Sequence, residues 1–525
     1  MITRVVVKKS TYRDSISLMK LSNSVAKLPG VAQAAVVMAT ELNRRVLSEA
    51  GFTDAAIGSA SSSDMVVAIE ASDAASLDAA LAETDRLLSA SERQAGEKAP
   101  PASLEEALEQ IPDANLAFIS VPGQFAKREA MRALTRGLNV FLFSSNVSRE
   151  EEVELKNVAK KKGLLMMGPD CGTSIINHKV LGFGNVIREG SIGLVSASGT
   201  GLQEVSTLIH KAGLGISQAI GTGGSDLSEQ VGGITMIQSL ELLEEDEQTK
   251  VIVLISKPPA AGTLEKVLDV AKRSRKPVVV NFLGADLSPR MLGKLRAANT
   301  LDEAARVACE LSGAKAEVAA PLIPEETISV ALVEHKELAR TQRYVRGLFS
   351  GGTLCYESEI ILQPLLGEVF SNAPIKPENK VPGDAPSKKH ACIDMGAEEF
   401  VEGRAHPMID FSLRNMRILQ EARDPETAVI LLDVELGYGS NADPAGQLVP
   451  VIQKAIGLAN EAGRHLSIVA SLIGTEGDFQ GLASQEKALS DAGVLIMSSN
   501  AQATRVSALI AIGKDTEATI FGRSD

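Results

Sequence analysis

Two stretches of this chain set hydroxyls and glycines where a helix is about to begin, an arrangement suited to binding a phosphate. Gly190 to Glu204, GSIGLVSASGTGLQE, reads as a buried strand over Ser191 to Val195, a Ser/Gly/Thr turn, and a helix opening at about Gly201. Consecutive backbone N–H groups at such a turn, with the positive end of the helix dipole, form an anion pocket that needs no basic side chain. Ser198, Gly199, Thr200 and Gly201 would hold the anion. Val345 to Ser358, VRGLFSGGTLCYES, repeats the pattern and nominates Ser350, Gly351, Gly352 and Thr353 for a second pocket. The plainer alternative for either is a tight strand-to-helix turn with a Ser or Thr N-cap, common in α/β proteins.

Other residues could share the chemistry. His406 lies in GRAHPMIDFSLRN with Arg404, Asp410, Arg414 and Asn415. An Arg-x-His pair offers a fixed cation for carboxylate or phosphate and a ring that titrates near neutrality, which makes Arg404 and His406 the candidate catalytic pair. The alternative is a histidine that orders the loop before Pro407, with Arg414 and Asn415 on a helix surface. Asp170 in GPDCGTS, and Gly223 and Gly224 in GTGGSD, follow strands and would line the same cleft, although glycine also serves loop geometry alone. Asp433 and Glu435 end a strand ahead of GYGSNADPA, where they and Asn441 would hold a substrate amide or a cation. A turn in which Asn441 or Asp443 caps the next helix competes with that reading. Cys171, before Gly172, reads as exposed, but no histidine neighbours it in sequence to act as its base.

The elements that must position these residues come in repeats. QTKVIVLISKPPA (Gln248 to Ala260) is echoed by ETAVILLDVELGYG (Glu426 to Gly439), KPVVVNFLGAD by LSIVASLIGTEGD, and TLDEAARVA (Thr300 to Ala308) by NAQATRVSA (Asn500 to Ala508). With the two turns, four matching segments in one order indicate two copies of an α/β domain. Before them, LAFISV, VFLFS and LLMMG read as strands apolar enough to be buried on both faces of a parallel, helix-covered sheet. Ser148 reads as the N-cap of the helix that follows the second of these strands. Residues 1 to about 92 alternate strand and helix in the manner of a small ferredoxin-like domain. SERQAGEKAPP reads as a linker, PLIPEE with its following helix as the joint between repeats, Ser371 to Lys389 as an exposed loop, and the last dozen residues as a frayed end.

Composition narrows the class of function. The 525 residues suffice for about three or four domains. At 44% hydrophobic residues the chain can bury large cores. Its apolar runs fall well short of the roughly 20 residues that a membrane span needs, and MITRVVVKKS lacks a signal-like apolar core. A cytoplasmic protein is expected. The net charge of -13 argues against nucleic acid or an anionic membrane as partner. Cys171, Cys309, Cys355 and Cys392 show no metal-ligand or CxxC spacing, so reduced thiols and no metal are expected, with Cys309 and Cys392 in cores.

GLLMMGPDCGTSI, GSIGLVSASGTGLQE, AIGTGGSDLSEQVGG, the strand ending SKPPA, GRAHPMIDFSLRN and LLDVELGYGSNADPA together resemble the FdrA family across nearly the whole chain. FdrA proteins in turn look like a rearranged succinyl-CoA synthetase, with residues 112–315 similar to its α subunit and 340–512 to the carboxy-terminal domain of its β subunit. The resemblance implies an α/β protein with a ferredoxin-like domain at 1–95 and a Rossmann-like, CoA-binding-type domain at 102–188. Two flavodoxin-like, synthetase-like ligase domains with parallel sheets follow at 189–320 and 340–512.

The departures from the synthetases bear on function. A synthetase phosphorylates a histidine between the strand matching Val278 to Phe282 and the helix matching Leu301 to Leu311. Here that interval, LGADLSPRMLGKLRAANT, has none; His178, His210, His335, His390, His406 and His465 all lie elsewhere. The glycine-rich turn for the CoA pyrophosphate and any ATP-grasp domain are missing too. The resemblance therefore implies a carbamoyltransferase subunit of allantoin breakdown, moving a carbamoyl group between oxamate and phosphate to give carbamoyl phosphate. It would act on small anions in a hetero-oligomer with other subunits, and no cofactor is expected. The alternative is an acyl-CoA synthetase subunit, for which CoA would bind. A third reading is a regulatory scaffold with vestigial turns. In the synthetases the β-derived segment matching GRAHP helps bind phosphate opposite the α-derived turn, so His406 and Arg404 are expected to face Ser198 to Gly201.

Overall fold

The computed structural model describes residues 1–90, 101–313 and 323–513. All but Pro101 of the expected linker over 91–101, the first two residues of PLIPEE and the expected frayed end beyond Gly513 lie outside them. The chain forms two compact units, Met1–Ala107 with Gly396–Asp410, and Leu108–Met395 with Phe411–Asp525.

In the first unit, β1 (Ile2–Lys8), β2 (Val31–Met38) and β3 (Met65–Ala71) form an antiparallel sheet in the order β1-β3-β2. Successive side chains of a strand point to opposite faces. Accordingly Met65, Val67 and Ile69 pack with Leu18, Val25 and Leu77, while Val66 and Ala68 pack with Leu47, Phe52 and Ile57. The strand and helix order read from the sequence is the one observed. What the sequence did not announce is the segment from Gly396 to Asp410, which folds with this unit although it lies hundreds of residues downstream.

The second unit opens with a parallel sheet of β4 (Leu116–Ile119), β5 (Asn139–Leu142) and β6 (Met166–Met167), in the order β4-β5-β6. Ser148 caps the helix Arg149–Lys161 through a reciprocal bond pair with Glu151, as its spacing implied. A hairpin, β7 (Thr173–Ile176) and β8 (Lys179–Gly182), falls inside the expected 102–188 domain but pairs with the next sheet. That sheet contains β9 (Glu189–Ser196), β10 (Ile216–Gly221), β11 (Val251–Ser256), β12 (Val278–Phe282) and β13 (Arg296–Ala297), in the order β13-β12-β11-β9-β10-β7-β8.

The last sheet contains β14 (Tyr344–Phe349), β15 (Val369–Ser371), β16 (His390–Asp394), β17 (Thr427–Glu435), β18 (Ser467–Ile473) and β19 (Val494–Met497), in the order β15-β16-β14-β17-β18-β19. Strands 13, 12, 11 and 9 of one sheet correspond to 19, 18, 17 and 14 of the other, so the repeat read from the sequence is a repeat of topology. The loop after Ser371 is less open than expected: Asn379 and Gly383 are buried, and the Gly383 carbonyl accepts from Arg417. Four helices recur below. The turn helices, Gly199–Lys211 and Gly352–Leu366, follow β9 and β14, and the closing helices, Leu301–Leu311 and Asn500–Ile512, end each repeat.

Candidate functional site

β9 is buried along its carboxy-terminal half and ends at Ser196, so the chain must turn inside the protein. Ser196 and Ser198 make that turn self-sufficient: Ser196 Oγ donates to the Ser198 carbonyl at 2.6 Å and accepts from Ser198 N at 3.0 Å. Ser198 is the N-cap, and its Oγ accepts from Gly201 N at 2.9 Å. The helix therefore opens at Gly199, two residues earlier than the sequence suggested. The first amides of a helix have no partner within it. Among the described residues nothing else takes Gly199 N or Thr200 N, which leaves two donors at the positive end of the helix.

The second turn lies directly against the first. Ser198 Oγ donates to Thr353 Oγ1 at 2.6 Å, and a Cβ on Gly351 would sit 2.9 Å from the side chain of Thr200. Two positive helix ends thus face each other, an arrangement that is unfavourable without negative charge between them. The second end carries its own. Asp433 accepts from Ser350 N at 2.8 Å and Gly351 N at 2.7 Å, and the Asp394 carboxylate lies against the α-carbon of Gly352. Ser350 and Gly351, nominated as phosphate ligands, have their amides filled by a protein carboxylate.

Arg414 closes this arrangement. Its Nη1 donates to Ser350 Oγ at 2.6 Å and to Asp433 Oδ1 at 2.8 Å, and its guanidinium lies 4.5 Å from the Phe411 ring centre. The alternative that places Arg414 on a helix surface does not hold: it is fully buried. The reason is that the helix Ser412–Arg423 turns a charged stripe inward, with Arg417 bonded to Glu421 and Arg346 bonded to Asp424. Glu435, two residues beyond Asp433, is buried and neither oxygen has a hydrogen-bond partner. Burial, and then Asp433, push its carboxyl well above the usual carboxylate range, against the pull of Arg414.

The other candidates sort by position. Gly223 and Gly224 pack on the loop that carries Asp170: a Cβ on Gly223 would strike the Pro169 carbonyl, and one on Gly224 would meet Asp170 Oδ2 at 3.4 Å. That loop continues to Thr173, whose Oγ1 is buried, has no hydrogen-bond partner and lies 3.2 Å from the Cβ position of Gly199. Asp170, Gly223, Gly224 and the first turn thus gather at the carboxyl ends of β9 and β10, the usual place for a ligand on such a sheet. Cys171 is corrected from exposed to buried. It lies beneath Gly221, and burial pushes its thiol up to about 12.

Asp443 takes the capping role on the helix Pro444–Glu461, accepting from Gly446 N at 3.0 Å, and Asn441 Oδ1 accepts from Asp443 N at 2.9 Å. Arg404 donates to Asn43 Oδ1 at 3.0 Å and to Asp410 at 3.1 Å, and Asn43 donates back to the Gly403 carbonyl, all within the first unit. His406 Nδ1 accepts from Met408 N at 3.3 Å, the loop-ordering role. Thr173, Asp394, Glu204 and Glu357 went unnoticed in the sequence. For the two glutamates a signal existed, since SGTGLQE and GGTLCYE both place Glu five residues after the first helical glycine.

No histidine enters the interval between β12 and the first closing helix. The five in the second unit are held elsewhere: His210 by Glu476 and Arg188, His335 by the Ile510 carbonyl, His465 by Glu334, His178 near Glu189, and His390 under β14. Burial lowers the His390 ring to about 4. Among the described residues, no helix is long and apolar enough to cross a membrane, and no cluster of His, Cys, Asp or Glu is arranged to hold a metal.

The duplicated, mostly parallel sheets define the class as a layered α/β protein, and family comparisons place it among CoA-ligase-type proteins. Residues 187–284 match a CoA binding domain, 348–510 match CoA-ligase, and 1–103 match the heavy metal-associated domain of AllF. The chain belongs to the family of Uncharacterized protein YahF of Escherichia coli (strain K12), with 45% identity over 95% of this chain and 97% of that one. Succinate–CoA ligase [ADP-forming] subunit alpha 2 of Archaeoglobus fulgidus is 30% identical over 36% of this chain, which spans 64% of that subunit. The corresponding alpha subunit of Methanothermobacter thermautotrophicus is 29% identical over 36% of this chain and 63% of its own length. A heavy metal does not fit the first domain. Residues 1–103 contain no Cys or His, and Met38 and Met65 are core residues.

Proposed function

We propose that this chain is an acyl-CoA-ligase-type subunit that holds the phosphoryl group of a small molecule on the Gly199 and Thr200 amides and uses no phosphohistidine. The observation that supports the reading best is the opposition of two positive helix ends, one with the Asp433 and Asp394 carboxylates beside it and the other open, with no carboxylate bonded to it. Around the open end stand the hydroxyls of Ser198 and Thr353 and the unpartnered Thr173 Oγ1. Fixed donors of this kind stabilise negative charge without reorganising, in the ground state or as charge develops on a transferred group. CoA would enter as a substrate of the ligase-type reaction.

A second reading, carbamoyl transfer between oxamate and phosphate with partner subunits, is favoured by one observation. With no histidine between β12 and the first closing helix, a phosphate compound would meet the turn directly. Under either reading Gly199→Leu fills the space before Thr173 and blocks approach to the amides. Phosphate, acetyl phosphate or carbamoyl phosphate at about 100 times its dissociation constant should stabilise the wild-type protein by about 2.7 kcal/mol. The variant should lose that shift while keeping its unliganded melting temperature within a few degrees. Protection that survives in Gly199→Leu refutes the site, and a turnover that requires CoA separates the ligase from the carbamoyl transferase.

A further inference from the structure

The two turn helices carry a glutamate at the same position, and each glutamate reaches into the other repeat. Glu204, on the first turn helix, accepts from Asn500 N at 2.9 Å, the first amide of the second closing helix. Glu357, on the second turn helix, accepts from Leu301 N at 2.7 Å, the first amide of the first closing helix. Asn500 Nδ2 ties the pair together, donating to Glu357 Oε2 at 2.8 Å and to the Leu354 carbonyl at 3.0 Å. All three residues are buried.

We propose that Glu204 and Glu357 are positioning residues of the phosphate site, each crossing from its own turn helix to cap the closing helix of the other repeat so that the two turns stay face to face. The phosphate half of this inference rests on the reading above; the crossed caps do not. Their geometry is suited to the task. Each bond satisfies an orphan helix amide with an acceptor from the opposite repeat, so the repeats cannot separate without exposing two buried donors and two buried carboxyls. The Ser198–Thr353 bond lies at the amino-terminal ends of the same two helices, before both glutamates.

The device is sensitive to pH. Facing Glu204 are Asp302 on the first closing helix, Asp433 on β17 and Lys211 on its own helix; facing Glu357 are Asp302 and Glu204. Arg505 pairs with Asp302 at 3.7 Å. Burial raises Glu204 to about 7 and Glu357 to about 8, from an ordinary 4.5. The folded chain therefore keeps two protons that the unfolded chain has released. Their contribution to stability is full below the ordinary value, and falls as pH rises through the window up to about 8.

The test compares wild type with the Glu204→Gln/Glu357→Gln double variant, which keeps both acceptors and cannot ionise, and with Glu357→Ala. Sulfate is the probe, because its charge is constant from pH 6 to 9. Wild type should lose melting temperature and sulfate affinity over that range. The double Gln variant should lose most of both slopes, while Glu359, buried on the second turn helix and raised by burial to about 7, contributes equally to each protein. Glu357→Ala should exchange the Leu301 amide roughly tenfold faster, as expected for one lost hydrogen bond, and Glu357→Gln should restore it. An unchanged Leu301 exchange rate in Glu357→Ala overturns the crossed caps, and equal melting slopes in wild type and the double Gln variant overturn their sensitivity to pH. Unchanged sulfate affinity and slope in that variant overturn the positioning role. If wild type binds no sulfate, the phosphate reading fails and the positioning role with it, and the Leu301 exchange rate still decides the crossed caps.

Discussion

At the scale of residues, Arg414 shows how much one buried cation can organise. Its Nη1 meets Ser350 and Asp433, and Asp433 in turn meets the second turn, so one side chain secures a carboxylate at the end of β17 and a helix start after β14. Removing one partner of a buried ion pair leaves an uncompensated charge and costs about 3–5 kcal/mol. Arg414→Met is therefore expected to lower unfolding stability by that amount in denaturant titration. Replacing Asp433 with Asn as well should recover part of the loss, because the stranded charge is then gone. A loss within about 0.5 kcal/mol, the usual range for a surface substitution, would contradict the buried-pair assignment. The burial of Arg414 was not legible in the sequence for a physical reason. A helix rich in Arg and Glu looks like a solvated face, and only tertiary structure shows that Arg414 reaches Ser350 and Asp433 while Arg417 pairs with Glu421.

At the scale of elements, the two turns are held at a separation that leaves no room for a methyl group. Gly351 has ordinary backbone angles, so an alanine there strains no dihedral; its Cβ would instead press on Thr200. Overpacking of this kind typically costs about 1–3 kcal/mol. Gly351→Ala should be destabilising by that order, and Thr200→Gly in the same chain should relieve it, with a coupling energy well outside additivity in a double-mutant cycle. Additive effects would mean that the turns are not in contact. The turns themselves were legible, because Ser, Gly and Thr before an apolar helix carry a local signal. So was the duplication, since the strand order of one repeat maps onto the other. The division of labour between the turns was not. It depends on Asp433 folding back onto Ser350 and Gly351 across 82 or more residues, and no local pattern encodes that.

At the scale of the whole molecule, the chain is not a string of independent domains. The segment Gly396–Asp410 leaves the second repeat after β16, folds within the first unit and returns at Phe411. Its attachment there is specific: Asn43 Nδ2 donates to the Gly403 carbonyl, Arg404 donates to Asn43 Oδ1, and a Cβ on Gly403 would collide with Thr40. Such a segment draws its order from the surface that receives it, because its own helix, Glu398–Val401, is too short to stand alone. Deleting residues 1–90 should therefore release it. In limited proteolysis the truncated chain is expected to be cut between Gly396 and Asp410, while the full chain resists there. Asn43→Ala in the full chain should give an intermediate rate, since it removes two bonds and leaves the Thr40 contact. Equal cleavage in the truncated and full chains would show that the segment holds its conformation without the first unit.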